Sequence, residues 1–110
     1  MLWLGGVVPH DAVFTSVVSQ TDVPMTLLKQ LGVKPAKPYP YSHNVFTPQY
    51  KGIAVGAFNS GIIVFSEEGI VAFDYTDHKL KYSRGNSAHQ LLEFGKAYLQ
   101  KSYDDFLQLK

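Results

Sequence analysis

Thr15, Ser16 and Ser19 bring three hydroxyls into one short stretch, and a hydroxyl beside a general base is the usual start of ester chemistry. No Gly-x-Ser-x-Gly elbow surrounds any of them. They read instead as hydroxyls at a strand end and a helix start, where Ser and Thr satisfy nearby backbone groups. The histidines, His10, His43, His78 and His89, include no i, i+4 pair of the kind that grips a metal from one helix face. His10-Asp11 and Asp77-His78 are adjacent pairs among turn-forming neighbours. Adjacent side chains on a strand face opposite ways and cannot share a metal unless the backbone bends. Both pairs read as solvated turns. His89 falls in the first turn of a predicted helix, where the dipole disfavours a cation, so it reads as neutral or exposed.

Glu67 and Glu68 occupy a predicted turn, and Asp104 and Asp105 a helix end. Acid-base catalysis needs two carboxyls converging on one cleft, and nothing in this spacing makes them converge. Gly52, Gly56 and Gly61 sit among strands without the Gly-x4-Gly-Lys-Ser/Thr phosphate loop, so they read as places of close backbone packing. The residues therefore assign no catalytic, cofactor-binding or metal-binding side chain in this chain.

The elements behind these side chains follow from the pattern. Met1 to Val8 is short and apolar and predicts a strand buried on both faces, ended by Pro9. Val13 to Val18 is rich in β-branched residues and predicts a short strand or an extended connector. Thr21 or Asp22 is placed to cap a helix that accepts Pro24 in its first turn. Leu27, Leu28 and Leu31 share one side of it, and Gly32 supplies a left-handed terminator. Residues 33–50 hold four of the six prolines and predict an ordered loop around Tyr39, Tyr41 and His43.

From Gly52 onward four strands are expected, with tight turns at Asn59-Ser60, Glu67-Glu68-Gly69 and Thr76-Asp77-His78. Asn86 or Ser87 then caps a helix from Ala88 to about Leu107, with Ala88, Leu92, Gly95, Leu99, Tyr103 and Phe106 as its buried stripe. The expected fold is α+β: a four-stranded antiparallel meander with a C-terminal helix packed on it, preceded by a strand-helix unit. The first three strands are apolar on both faces, and one helix covers only one of them.

The chain has 110 residues, a 45% hydrophobic and 17% charged composition, and a net charge of +1. Those figures describe one folded domain and give no electrostatic footprint for nucleic acid. The absence of cysteine excludes disulfides, thiolate metal sites and cysteine nucleophiles. Met1 to Val8 lacks a basic start and falls short of the ~20 apolar residues of a membrane span, so the chain reads as soluble. A chain opening directly on a buried-looking strand reads as cut from something larger, and Met1 need not be a natural start.

Ser19-Gln20-Thr21-Asp22-Val23-Pro24-Met25-Thr26-Leu27-Leu28, followed by Leu31-Gly32, resembles a late helix of the sulfatase family, approximately S-Q-x-D-[IVL]-x-P-T-L-L then L-G. Pro24 stands one position earlier than in the commonest form. Met1 to Gly6 looks like the strand that precedes this helix in bacterial members. Tyr39 to Phe46 resembles the family's F-P-F-S-K-N-hydrophobic loop. Ala57 to Gly61, Glu68-Gly69 and Phe73-Asp74 are similar to the hairpins that follow, and Gly95 to Gln100 with Tyr103 to the closing helix.

The resemblance covers nearly the whole chain and is most specific over residues 19–32. It points to the alkaline phosphatase superfamily, nearest the bacterial membrane-anchored, lipoteichoic acid synthase-like phosphoglycerol transferases. It implies a parent that hydrolyses or transfers a sulfate or phosphate ester. Such a parent has a Thr, Ser or formylglycine nucleophile beside divalent metal (Mn, Mg, Zn or Ca) held by Asp, His and Glu. It also implies an extracellular or periplasmic catalytic domain at a bacterial membrane.

Those ligands lie upstream of this chain in the family. Asp77-His78-Lys79 imitates the family's Asp-His-Gly motif but lacks the glycine and follows the helix, so no metal role is carried over. Residues 1–50 would be the end of the α/β core, and 51–110 the antiparallel sheet plus helix. The expected partner is the missing N-terminal catalytic domain of the same protein, with a homodimer expected for the isolated piece. The competing reading is a free-standing, non-enzymatic binding or dimerisation module. Asp22 is expected to cap the first helix and anchor its corner, with Asp22→Ala costing about 1 kcal/mol.

Overall fold

A computed structural model of the chain describes Asp11 and residues 13–109. The strand expected at Met1 to Val8, and His10, lie outside the described residues. Residues 13–18 form no strand and run as an irregular connector with a bend at Ser16. A short 3-10 turn, Gln20–Asp22, then leads into helix α1, Val23–Gln30. Four strands follow: β1 Ile53–Phe58, β2 Gly61–Ser66, β3 Gly69–Asp74 and β4 Lys79–Gly85. Helix α2 spans Ala88–Leu107. The sheet order is β1-β2-β3-β4, every pair antiparallel, which is the α+β meander that the turn signals predict.

The turns explain the register. Phe58 pairs with Gly61 across Asn59-Ser60, and Ser66 with Gly69 across Glu67-Glu68. A Cβ on Gly61 would stand 2.2 Å from the Phe73 carbonyl oxygen, so only glycine admits this approach of β3. The last turn holds His78 at φ 53°, and a bulge between Ala72 and Phe73 shifts β4 by one residue.

Among the described residues the core is small. Ile62, Val64, Val71 and Leu91 are its buried hydrophobics, with Ile53, Val55, Phe73, Leu92 and Leu99 packed around them. Helix α2 packs on β2 and β3, and Gly95 is the point of closest approach. A Cβ there would lie 2.5 Å from Val64 Cγ2 and 2.8 Å from Ile62 Cδ1. The expected stripe needs correction at both ends. Leu91 is buried in place of Ala88, while Tyr103 and Phe106 are exposed because the helix runs on past the sheet.

Helix α1 also departs from expectation. Leu27 and Leu31 are exposed, and the one buried position is Thr26. Its C-terminus is as expected: Gly32 takes φ 68°, its N–H reaches the Lys29 carbonyl, and the Val33 N–H reaches the Leu28 carbonyl. The opposite sheet face carries Phe58, Phe65 and Tyr82, all substantially exposed. Among the described residues, no helix lies over it.

Candidate functional site

The polar residues that come together do so around Asp22, the most buried charged side chain, at 3% exposure. The start of the helix puts it there. Ser19 caps the 3-10 turn, its Oγ accepting the Thr21 N–H at 3.4 Å, while Asp22 Oδ2 accepts the Ser19 N–H at 3.3 Å. This reciprocal capping box replaces the expected cap at Thr21 or Asp22. Asp22 makes no side-chain cap to α1. Its carboxylate turns inward, toward residues 43 and 50.

Asp22 Oδ1 accepts the His43 N–H at 2.9 Å and lies 3.2 Å from His43 Nδ1, and Oδ2 accepts the Tyr50 hydroxyl at 2.8 Å. Burial and the bond to Asp22 push the Tyr50 hydroxyl far above its ordinary pKa. Thr26 completes the knot: its hydroxyl faces the carbonyls of Asp22 (2.7 Å) and His43 (3.1 Å) and accepts the Val45 N–H at 3.1 Å. Ser42 Oγ accepts the Met25 N–H at 3.0 Å. Helix α1 and the proline-rich loop are thus laced together by side chains buried between them.

The loop is pinned a second time, to α2. The Tyr41 hydroxyl donates to Asp105 Oδ2, and the Tyr41 ring meets Tyr98 edge-on at 5.3 Å. The hydrogen bond to Asp105 raises the Tyr41 pKa to about 12, and the same bond with Lys101 lowers that of Asp105. Between loop and helix lies a cleft of about 310 Å³. One wall is apolar, from Ile53 and Val55 of β1 with Phe94 and Tyr98 of α2. The other is polar, with Asp22, His43, Tyr50 and Lys51. A hollow of about 640 Å³ at the β1-β2 turn is more open. Its one charged lining residue, Lys96, already pairs with Glu93 and lies over the Phe73 ring.

The other candidates stay apart. Thr15 and Ser16 lie in the connector, and Asp11 is exposed. Glu67 Oε1 accepts the Val17 N–H at 2.8 Å, fixing that connector to the β2-β3 turn, and Glu68 accepts the Ser87 hydroxyl. Asp77 caps its own turn through the Lys79 N–H and pairs with Lys81, beside His78. His89 and Asp104 are exposed. Gly52 is packed against the Val17 carbonyl and Gly56 against Ile63, the close packing expected of both. Among the described residues, no group of three or more His, Cys, Asp and Glu side chains comes together. No helix among them is long and apolar enough to cross a membrane.

What Asp22 and His43 offer chemically is an imidazole oriented through Nδ1, with Nε2 directed away from the carboxylate. Ser19 Oγ takes its hydrogen bonds from Thr21, and among the described residues no hydroxyl bonds to the His43 ring. The pair can bind and orient; a nucleophile-base couple is absent from the described residues. Pairing of Asp22 with His43 and Tyr50 was beyond sequence reasoning, because the partners are 21 and 28 residues away. The Ser19-x-x-Asp22 spacing is, by contrast, a readable capping signal. No family model matches the chain, and neither the curated proteins nor the solved structures yield a match.

Proposed function

We propose that this chain is the non-catalytic C-terminal portion of a sulfatase-like or phosphoglycerol transferase-like metalloenzyme of the alkaline phosphatase superfamily, acting on sulfate or phosphate esters. The observation that supports this reading is the interlock of the most family-like segment with a second one that also resembles the family. Residues 19–32 and 39–46, which resemble two separate motifs, hold each other through Asp22, Thr26, Ser42 and the His43 backbone. A motif residue with such a role needs no part in catalysis. The chemistry then belongs to an upstream domain that supplies the nucleophile and the divalent metal. The chain lies against that domain through apolar surface.

The test compares two proteins: the 110-residue chain, and the product of its reading frame extended upstream. Both are assayed on p-nitrophenyl phosphate, sulfate and phosphodiester with Mn²⁺. The chain alone is expected to be inactive and the extended product active. Metal-dependent turnover by the chain alone, lost in His43→Ala, would contradict the proposal.

A further inference from the structure

The cleft beside Asp22 has the size and the division of labour of a small-ligand site. Its 310 Å³ falls at the lower end of the ~300–1,000 Å³ typical of such sites. Phe94 and Tyr98 line it from α2 with ring centroids 6.2 Å apart and planes tilted by 34°. Val55 continues that wall from β1. A flat apolar ring gains both area burial and ring-ring contact against such a surface.

The polar wall carries two groups with unused capacity. His43 is 69% exposed at its side chain while Nδ1 is held 3.2 Å from Asp22. Nε2 is therefore the end left to meet a ligand. Both Asp22 oxygens are already occupied by protein donors, from Ser19, His43 and Tyr50, so its charge is met inside the fold. Lys51 lines the same cleft, and the lysine ion pairs among the described residues engage Lys81, Lys96 and Lys101 instead.

We propose that this cleft binds a small organic anion: a flat ring against Phe94, Tyr98 and Val55, its phosphate, sulfate or carboxylate head between His43 and Lys51. The site stands on the cleft alone and does not depend on the family to which the chain belongs. Binding here involves no covalent step.

The experiment is an amide NMR titration of the whole chain with phenyl phosphate, using inorganic phosphate as the head-only probe and phenol as the ring-only probe. Phenyl phosphate is expected to give saturable shifts centred on residues 43, 51, 55, 94 and 98, with each half-probe about tenfold weaker or worse. Phenyl sulfate and benzoate then distinguish a tetrahedral head from a planar carboxylate. His43→Gln and Lys51→Met should each weaken phenyl phosphate about fivefold. Among the described residues the Lys51 side chain makes no hydrogen bond or ion pair, so its variant reports binding even if His43→Gln unfolds the loop. No saturation by roughly 20 mM would overturn the proposal. So would shifts centred elsewhere, or a Lys51→Met chain that binds as well as the original.

Discussion

Asp22 shows why a residue's type and its neighbours in sequence can assign its position correctly and its role only partly. The spacing from Ser19 signals a capping box, and the structure has one. What the spacing cannot carry is the load from the other direction. The carboxylate, itself 3% exposed, also receives the His43 backbone and imidazole and the Tyr50 hydroxyl. Truncation would strand several part-buried donors rather than lose one cap. Asp22→Ala is therefore expected to cost about 3 kcal/mol, nearer the sum of several lost charge-assisted bonds than the single-cap figure of about 1 kcal/mol. Chemical denaturation checks this. A loss below about 1 kcal/mol would mean that water replaces the carboxylate at no great cost. Thr26 was hidden for a related reason: among leucines on α1 it reads as a surface hydroxyl, yet it is the buried residue because its partners are backbone groups of a distant loop.

At the scale of elements, the strands, their turns and α2 were legible because each is decided by local chemistry. Short polar turns sit between β-branched runs, and Gly95 falls in register with Leu92 and Leu99. Helix α1 was legible in extent but not in orientation. Leu27 and Leu31 face solvent because the contact that orients the helix is polar, made by the proline-rich loop, and a hydrophobic stripe is blind to that. The same loop docks on α2 through Tyr41 and Asp105, and that contact carries a pH dependence. The Asp105 pKa is lowered in the fold, so its contribution is present above the ordinary carboxylate range near 4 and is lost as pH falls through the lowered value. Tyr41 is raised to about 12, so its contribution is full below about 10 and is lost as pH climbs from there toward 12. Tyr41→Phe should lower the melting temperature at neutral pH and flatten both limbs of its pH profile. Unchanged limbs would show that the loop is held elsewhere.

At the scale of the whole molecule, the core that the described residues form is small. Their buried hydrophobics are Ile62, Val64, Val71 and Leu91, and the radius of gyration is 16.0 Å where a compact domain of this length has about 13 Å. Phe58, Phe65 and Tyr82 add exposed apolar area on the sheet face away from α2. An apolar face of this kind, bare among the described residues, calls for cover. In isolation a second copy is the cover at hand. Sedimentation at micromolar concentration should show a dimer, whereas a monomer that binds no hydrophobic dye would remove the need for any cover. Under the proposed function, the cover would be the catalytic domain of a longer protein. That central claim is tested most directly by the intact mass of the native polypeptide, captured from its source with an antibody against α2. The account predicts a mass several times the 12.3 kDa of this chain. A native species of 12.3 kDa would contradict it and leave the free-standing module as the reading of this fold.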